Sequence, residues 1–227
     1  MVNFTQWRSL VDGSEVNAIP DNLVDNFELQ SANPSGVYAS GETIGDYYSG
    51  DTGSATLTTS NVPEGNRALS VSGATIASFP GDGLNQYPDP GDTIRSLYRY
   101  VDANLPFDGL FVNVSGSPGN FSGYSCITRL NGVGGHRIYK HTDGSVTEIA
   151  ATSGISESGW VWHEIKTPSS SDNELVWDIY EYNGSRGSLL KTLSVNYNDH
   201  LGNGIGLASL SGSDPHTVLD GVEVLSN

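Results

Sequence analysis

Polar and apolar residues alternate with period two along most of the chain, the pattern of strands that bury one face. Arg67-Ala68-Leu69-Ser70-Val71 shows it in short form and Asp92 to Val101 over a longer run. Between these two lie Phe79-Pro80-Gly81-Asp82-Gly83 and Tyr87-Pro88-Asp89-Pro90-Gly91, which are turn formers. The two strands therefore cannot close a tight hairpin and are free to sit in different sheets. Leu23 to Glu28, Ala55 to Thr59, Gly109 to Val114, Gly123 to Leu130, His136 to His141 and Ser145 to Ala151 are the next predicted strands, each bounded by Gly, Asn, Asp or Pro. Trp160 to Lys166, Glu174 to Tyr182, Ser188 to Val195, Gly204 to Ala208 and Thr217 to Leu225 complete the set. No long helix is predicted, and the pattern is that of a two-sheet antiparallel sandwich.

The N-terminus departs from this pattern. Trp7, Leu10 and Val11 fall at i, i+3, i+4 spacing on a segment ended by Asp12-Gly13, which predicts a short helix with one apolar stripe. So short a helix is not stable alone, so the stripe packs either on its own sandwich or on another chain. Residues 1–22 are accordingly read as a docking arm and residues 23–227 as the sandwich domain.

Composition narrows the picture. A chain of 227 residues with 36% hydrophobic content, 28 glycines and 10 prolines suits many short strands in one domain. The 26 acidic residues against 10 basic ones, only three of them lysine, repel phosphate backbones and argue against nucleic acid as a partner. The same acidic, lysine-poor balance suits a salt-saturated solvent, where molar salt screens carboxylate repulsion to a range of about 3 Å. The one cysteine, Cys126, excludes an internal disulfide and a Cys-based zinc site; it alternates in phase with Tyr124 and Thr128 as a small residue on a strand face. MVNFTQWRSL shows no signal-peptide pattern and nothing later reaches the length of a membrane span, so neither export by the usual routes nor a membrane is expected.

The order of several short motifs resembles the concanavalin A-like (laminin-G-like) jelly-roll domains of haloarchaea and their viruses. The resemblance runs through Ile19-Pro20-Asp21 leading into Asp25-Asn26-Phe27-Glu28, Tyr48-Ser49-Gly50-Asp51-Thr52-Gly53, Glu64-Gly65 and Pro80-Gly81-Asp82-Gly83-Leu84. It continues through Gly91-Asp92-Thr93, Gly159-Trp160 before His163-Glu164-Ile165, Gly204-Ile205-Gly206 and Leu219-Asp220-Gly221-Val222. It implies a jelly roll of two antiparallel sheets, with glycan binding the commonest activity.

Laminarinase-type members carry acid and nucleophile on one strand as Glu-x-Asp-x-Glu, and retaining hydrolysis needs its carboxylates about 5–5.5 Å apart. Here Val176 holds the place of the first Glu, and without a bulge Asp178 and Glu181 point to opposite faces, so an enzyme is not expected. His136, His141, His163, His200 and His216 show no metal-ligand spacing, and histidines at strand ends are read as solvated. The resemblance also implies a structural Ca2+ where first and last strands meet, for which Asp25, Glu28, Glu64 and Asp220 are the candidates; the other reading is four exposed carboxylates of an acidic protein. Candidate glycan contacts are Tyr98, Arg99, Tyr100, Arg129 and Arg137, the arginines either pairing with nearby acids or meeting an acidic or sulfated sugar. Of four Asn-x-Ser/Thr triplets, Asn120 and Asn183 fall in predicted turns.

These readings converge on a surface protein of a haloarchaeal tailed virus (head turret, decoration or tail component). It is expected to assemble in the host cytoplasm, to form homo-oligomers, to dock on other virion proteins through its arm, and either to bind host glycans or to shield the particle. The alternative is a cytoplasmic carbohydrate-acting enzyme or glycan-binding module on the same fold. With a net charge of −16, thermal stability should rise from low to molar KCl. A thermal midpoint that stays flat or falls over that range removes the argument from salt.

Overall fold

A computed structural model describes residues 23–25, 27, 37–60, 62–63, 67–71, 73, 75–100, 108–117, 120–129, 135–155, 159–209 and 216–226. The arm residues Trp7, Leu10 and Val11 lie outside them. In chain order the strands are β1 (Leu23–Asp25), β2 (Ser49–Gly50), β3 (Ala55–Thr58), β4 (Ala68–Val71), β5 (Thr75–Ser78), β6 (Thr93–Tyr100), β7 (Asp108–Ser117) and β8 (Asn120–Arg129). They continue as β9 (Gly135–Thr142), β10 (Ser145–Thr152), β11 (Gly159–Lys166), β12 (Glu174–Tyr182), β13 (Arg186–Asn196), β14 (Gly204–Ser209) and β15 (His216–Leu225).

They form a two-sheet antiparallel jelly-roll sandwich. One sheet has eight strands in the order β13-β12-β11-β6-β15-β4-β3, with β1 also pairing with β15; the other has seven, β10-β9-β8-β7-β14-β5-β2. β4 and β6, expected to be free to occupy different sheets, share the eight-stranded one. The last strand, β15, separates them, and the strand that changes sheet is β5, which lies between them in sequence. β7 to β10, consecutive in sequence, are consecutive neighbours in the seven-stranded sheet and form a meander.

Alternation decides what enters the core. Ile94 and Tyr98 of β6, Val161 and Ile165 of β11, and Leu175, Trp177 and Ile179 of β12 pack against Leu110, Val112, Tyr124, Cys126 and Ile138 of the facing sheet. Cys126 is wholly buried there, and burial pushes its thiol pKa up. At the centre, the Tyr98 ring stacks on His163 at 4.9 Å between centroids, His163 meets Trp177 at 5.2 Å, and Trp177 meets His136 edge-on at 5.3 Å. His136 belongs to the opposite sheet, and its Nδ1 lies 3.2 Å from Thr128 Oγ1. His136, read as solvated at a strand end, is thus a core residue, and His141 at the other end of the same strand is buried as well.

Burial, aided by Lys191, draws the His136 pKa from 6.5 down to about 4, and burial followed by the charge on His136 holds His163 well below its ordinary value. The unfolded chain therefore takes up protons from pH 6.5 downward while the folded core does not, so acid favours unfolding. Stability is full above pH 6.5 and should fall towards pH 4, with His136 alone accounting for about 3 kcal/mol. Chemical denaturation at stepped pH checks this: His136→Gln should flatten the acid limb, and an unchanged slope would refute the assignment.

Candidate functional site

On the outer face of the eight-stranded sheet, register stacks side chains in rows that run across the strands. The first row is Glu223 (β15), Arg95 (β6), Glu164 (β11), Asp178 (β12) and Thr192 (β13), each opposite the next. The second is Asp220, Leu97, Trp162, Tyr180 and Leu189. In the third, Arg99 faces Trp160 and Tyr182 faces Arg186. Leu97 and Trp162 form a small apolar cluster with Trp160, Tyr180 and Tyr182 packed around it, separate from the main core. Towards β15 the face is covered, with Leu97, Trp162, Asp220 and Glu223 all buried; towards β13 it opens, leaving Trp160, Tyr180 and Tyr182 half-buried.

Register also requires a correction within β15. Leu219, Val222 and Val224 all enter the core, which strict alternation forbids. A bulge between Asp220 and Val222 resolves this, with Gly221 in the left-handed region at φ 63°. Asp220 and Glu223 are thereby both turned to the outer face. The backbone therefore favours a glycine at 221.

The charged row is locked. Glu164 Oε1 accepts from Arg95 Nε at 2.9 Å and pairs with Arg186 Nε at 3.0 Å, while Oε2 accepts from Arg186 Nη2 at 3.0 Å. Arg95 also approaches Glu223 at 4.0 Å and lies 5.8 Å from the centroid of the Trp162 ring, and Arg186 lies 3.7 Å over Tyr180. Asp178 accepts from Thr192 Oγ1 at 2.5 Å and from the Tyr180 hydroxyl at 3.3 Å. Burial, and then the Asp178 carboxylate, raise the Tyr180 pKa. The result is an aromatic surface beside fixed hydrogen-bonding groups.

The residues singled out from sequence are divided by this arrangement. Tyr98 is 1% exposed inside the sandwich, so it cannot stack on a ligand, whereas its neighbour Arg99 lies on the outer face. Arg137 is on the other sheet, paired with Glu148. The side chains of Tyr100 and Arg129 lie outside the described residues. Trp160, Tyr180, Tyr182 and Arg186 were not anticipated, although Trp160-Val161-Trp162 and Tyr180-Glu181-Tyr182 are a legible signal: aromatics in phase on the face that their buried neighbours do not use.

Asp25 and Asp220, the two described members of the calcium set, do not come together. Asp25 pairs in register with core-facing Val222, whereas Asp220 pairs with outward-facing Leu97, so the two carboxylates lie on opposite faces of the sheet. Asp25 is instead fully buried, accepting from Tyr38 at 2.8 Å, Tyr48 at 3.0 Å and the backbone N–H of Phe27 at 2.7 Å. The last bond holds Phe27 at φ 57° in a turn. Glu28 and Glu64 lie outside the described residues, and no group of three metal-ligating side chains occurs among the described ones.

Two other constellations can be assessed chemically. β11 and β12 pair in regular register, so Asp178 faces outward and Glu181, opposite core-facing Val161, points the other way. Ser125 Oγ lies 2.8 Å from His141 Nε2, a nucleophile–base distance. Both are buried, desolvation lowers the His141 pKa to about 4, and among the described residues no carboxylate orients its other nitrogen. This imidazole is a weak base wedged against Phe111 and Phe121. Of the glycosylation triplets, Asn113 is buried and donates to Pro168 and His200 carbonyls, whereas Asn120 and Asn183 are exposed.

The sequence matches no family model and no curated protein. Among solved structures, the chain is similar to the legume lectin-like domain from Entamoeba histolytica (9% identity, TM-score 0.49, covering 77% of this chain and 90% of that one). It is similar to the VIP36 exoplasmic/lumenal domain in its Ca2+/Man3GlcNAc-bound form (13% identity, TM-score 0.48, 79% and 84%). It is also similar to a conserved carbohydrate esterase from the Shiga toxin-encoding bacteriophage phi24B (12% identity, TM-score 0.46, 86% and 94%).

If Asp25 serves as the acceptor for two buried phenols, Asp25→Ala should cost about 3 kcal/mol, because both hydroxyls lose their partner. Asp25→Asn, which keeps one acceptor oxygen, should cost less, and added Ca2+ should rescue neither. Urea titrations of the three proteins decide this; a loss restored by Ca2+ would return Asp25 to a metal site.

Proposed function

We propose that this chain is a glycan-binding surface protein and that the open half of the outer face, with Trp160, Tyr180 and Tyr182, is its binding platform. The observation that carries this reading is the register of those three rings beside a polar row already held in place by Glu164 and Asp178. Sugar rings present C–H faces that stack on aromatics, while fixed carboxylates and guanidinium groups hydrogen-bond to their hydroxyls. Groups held in advance lose little entropy when the ligand arrives. Binding is favoured over hydrolysis because both oxygens of Glu164 are engaged by arginines and those of Asp178 by Thr192 and Tyr180. The finer reading follows the sequence resemblance: a head turret, decoration or tail component of a haloarchaeal tailed virus. In it, residues 1–22 dock on neighbouring copies or other virion proteins, and the platform meets a host surface glycan.

Binding to a glycan array in molar salt tests the activity. Trp160→Ala and Tyr182→Ala should each weaken binding about tenfold or more without shifting the thermal midpoint by the amount expected of a core residue. Retained affinity in both variants would move the site elsewhere. Mass spectrometry of purified virions tests the setting. Peptides abundant in uninfected cytosol and missing from particles would overturn it.

A further inference from the structure

Among the described cations, Arg95, Arg137, Lys140, Lys166 and Arg186 are each paired with a carboxylate. That is the expected fate of a cation in a chain with 26 acids and 10 bases. Arg99 differs. Among the described residues no carboxylate pairs with it, although it is half-buried on a sheet face; the one influence on its pKa is burial, which lowers it. A guanidinium stays charged under these conditions, and a partly desolvated charge without a counterion costs stability that a structural role would not explain.

Its position gives that cost a use. Arg99 stands directly opposite Trp160 at the margin of the aromatic platform. The other two arginines of this face, Arg95 and Arg186, are already paired with Glu164 and Glu223 and act as scaffold. We infer that Arg99 is the anion-binding residue of the platform and that the ligand is an acidic glycan, carrying a carboxylate or sulfate on the sugar ring that stacks on Trp160. This rests on the glycan-binding reading and adds its ligand class. The planar fork of the guanidinium matches either group with two parallel hydrogen bonds, and a charged acceptor makes each of them stronger than a bond to a hydroxyl.

The test uses the full chain in molar salt on an array that carries each oligosaccharide in neutral, carboxylated and sulfated forms, followed by titration of the strongest pair. The acidic form should bind about tenfold or more tightly than its neutral counterpart. Arg99→Gln should lower the affinity for the acidic form by a larger factor than that for the neutral form and so remove most of the difference between them, and Arg99→Lys, which keeps the charge and loses the fork, should fall between. Preference between the carboxylate and sulfate arms identifies the anion. Equal binding of neutral and acidic forms by the unaltered protein, or equal loss of both in Arg99→Gln, would overturn the inference and leave the glycan-binding reading standing. Binding to no member of the array would remove both. The comparison of neutral with acidic forms needs no variant and so does not depend on how Arg99→Gln folds.

Discussion

The aromatic chain Tyr98–His163–Trp177–His136 spans the sandwich and sets the phase of every strand around it. Because side chains alternate strictly, a slip of one residue in β6, β11 or β12 would expel these rings and bury Arg99, Trp160 or Asp178 in their place. That exchange costs far more than a domain's net stability. The three outer rows are therefore a consequence of what the inner face must bury, and the platform inherits its geometry from the core. Neutral histidine suits this central place: it fills space as a ring and keeps a hydrogen-bonding nitrogen, as His136 does with Thr128.

β15 shows how the same constraint is met where alternation fails. Its three core residues are out of phase, and the bulge at Gly221 restores them to one face while presenting Asp220 and Glu223 on the other. Glu223 then reaches Arg95, which in turn holds Glu164, so the backbone irregularity in the last strand helps fix the charged row beside the platform.

Much of the architecture was legible because period two is a local property. The long strands β6 to β15 follow it closely enough to be read with their boundaries nearly correct. β2 escaped because two residues are too few to show a period, and β5 because Thr75-Ile76-Ala77-Ser78 does not alternate. The shared sheet of β4 and β6 escaped for a different reason: their common neighbour β15 comes from the far end of the chain, and pairing over that distance leaves no local mark. The site was half legible. The two faces of β6 could be separated, but not which of them is inner, since Ile94-x-Ser96-x-Tyr98 and Arg95-x-Leu97-x-Arg99 are both mixed in polarity. Tyrosine resolves either way according to its neighbours. Asp25 was visible as a carboxylate near the first strand, whereas its phenol partners, 13 and 23 residues away in an irregular segment, were not.

Net charge and site chemistry pull in opposite directions. A chain at −16 repels an acidic ligand at long range, and at low salt the field of the whole molecule would oppose the contact that Arg99 offers. Molar salt shortens that field to about 3 Å, a range comparable to a hydrogen-bonded contact. A half-buried ion pair is screened less than exposed charges are. Concentrated salt thus removes the repulsion while sparing most of the attraction. An acidic surface and the proposed anion-binding face are compatible in one molecule at high salt, and in that proposal the arginine is left unpaired by the protein so that the ligand supplies its partner.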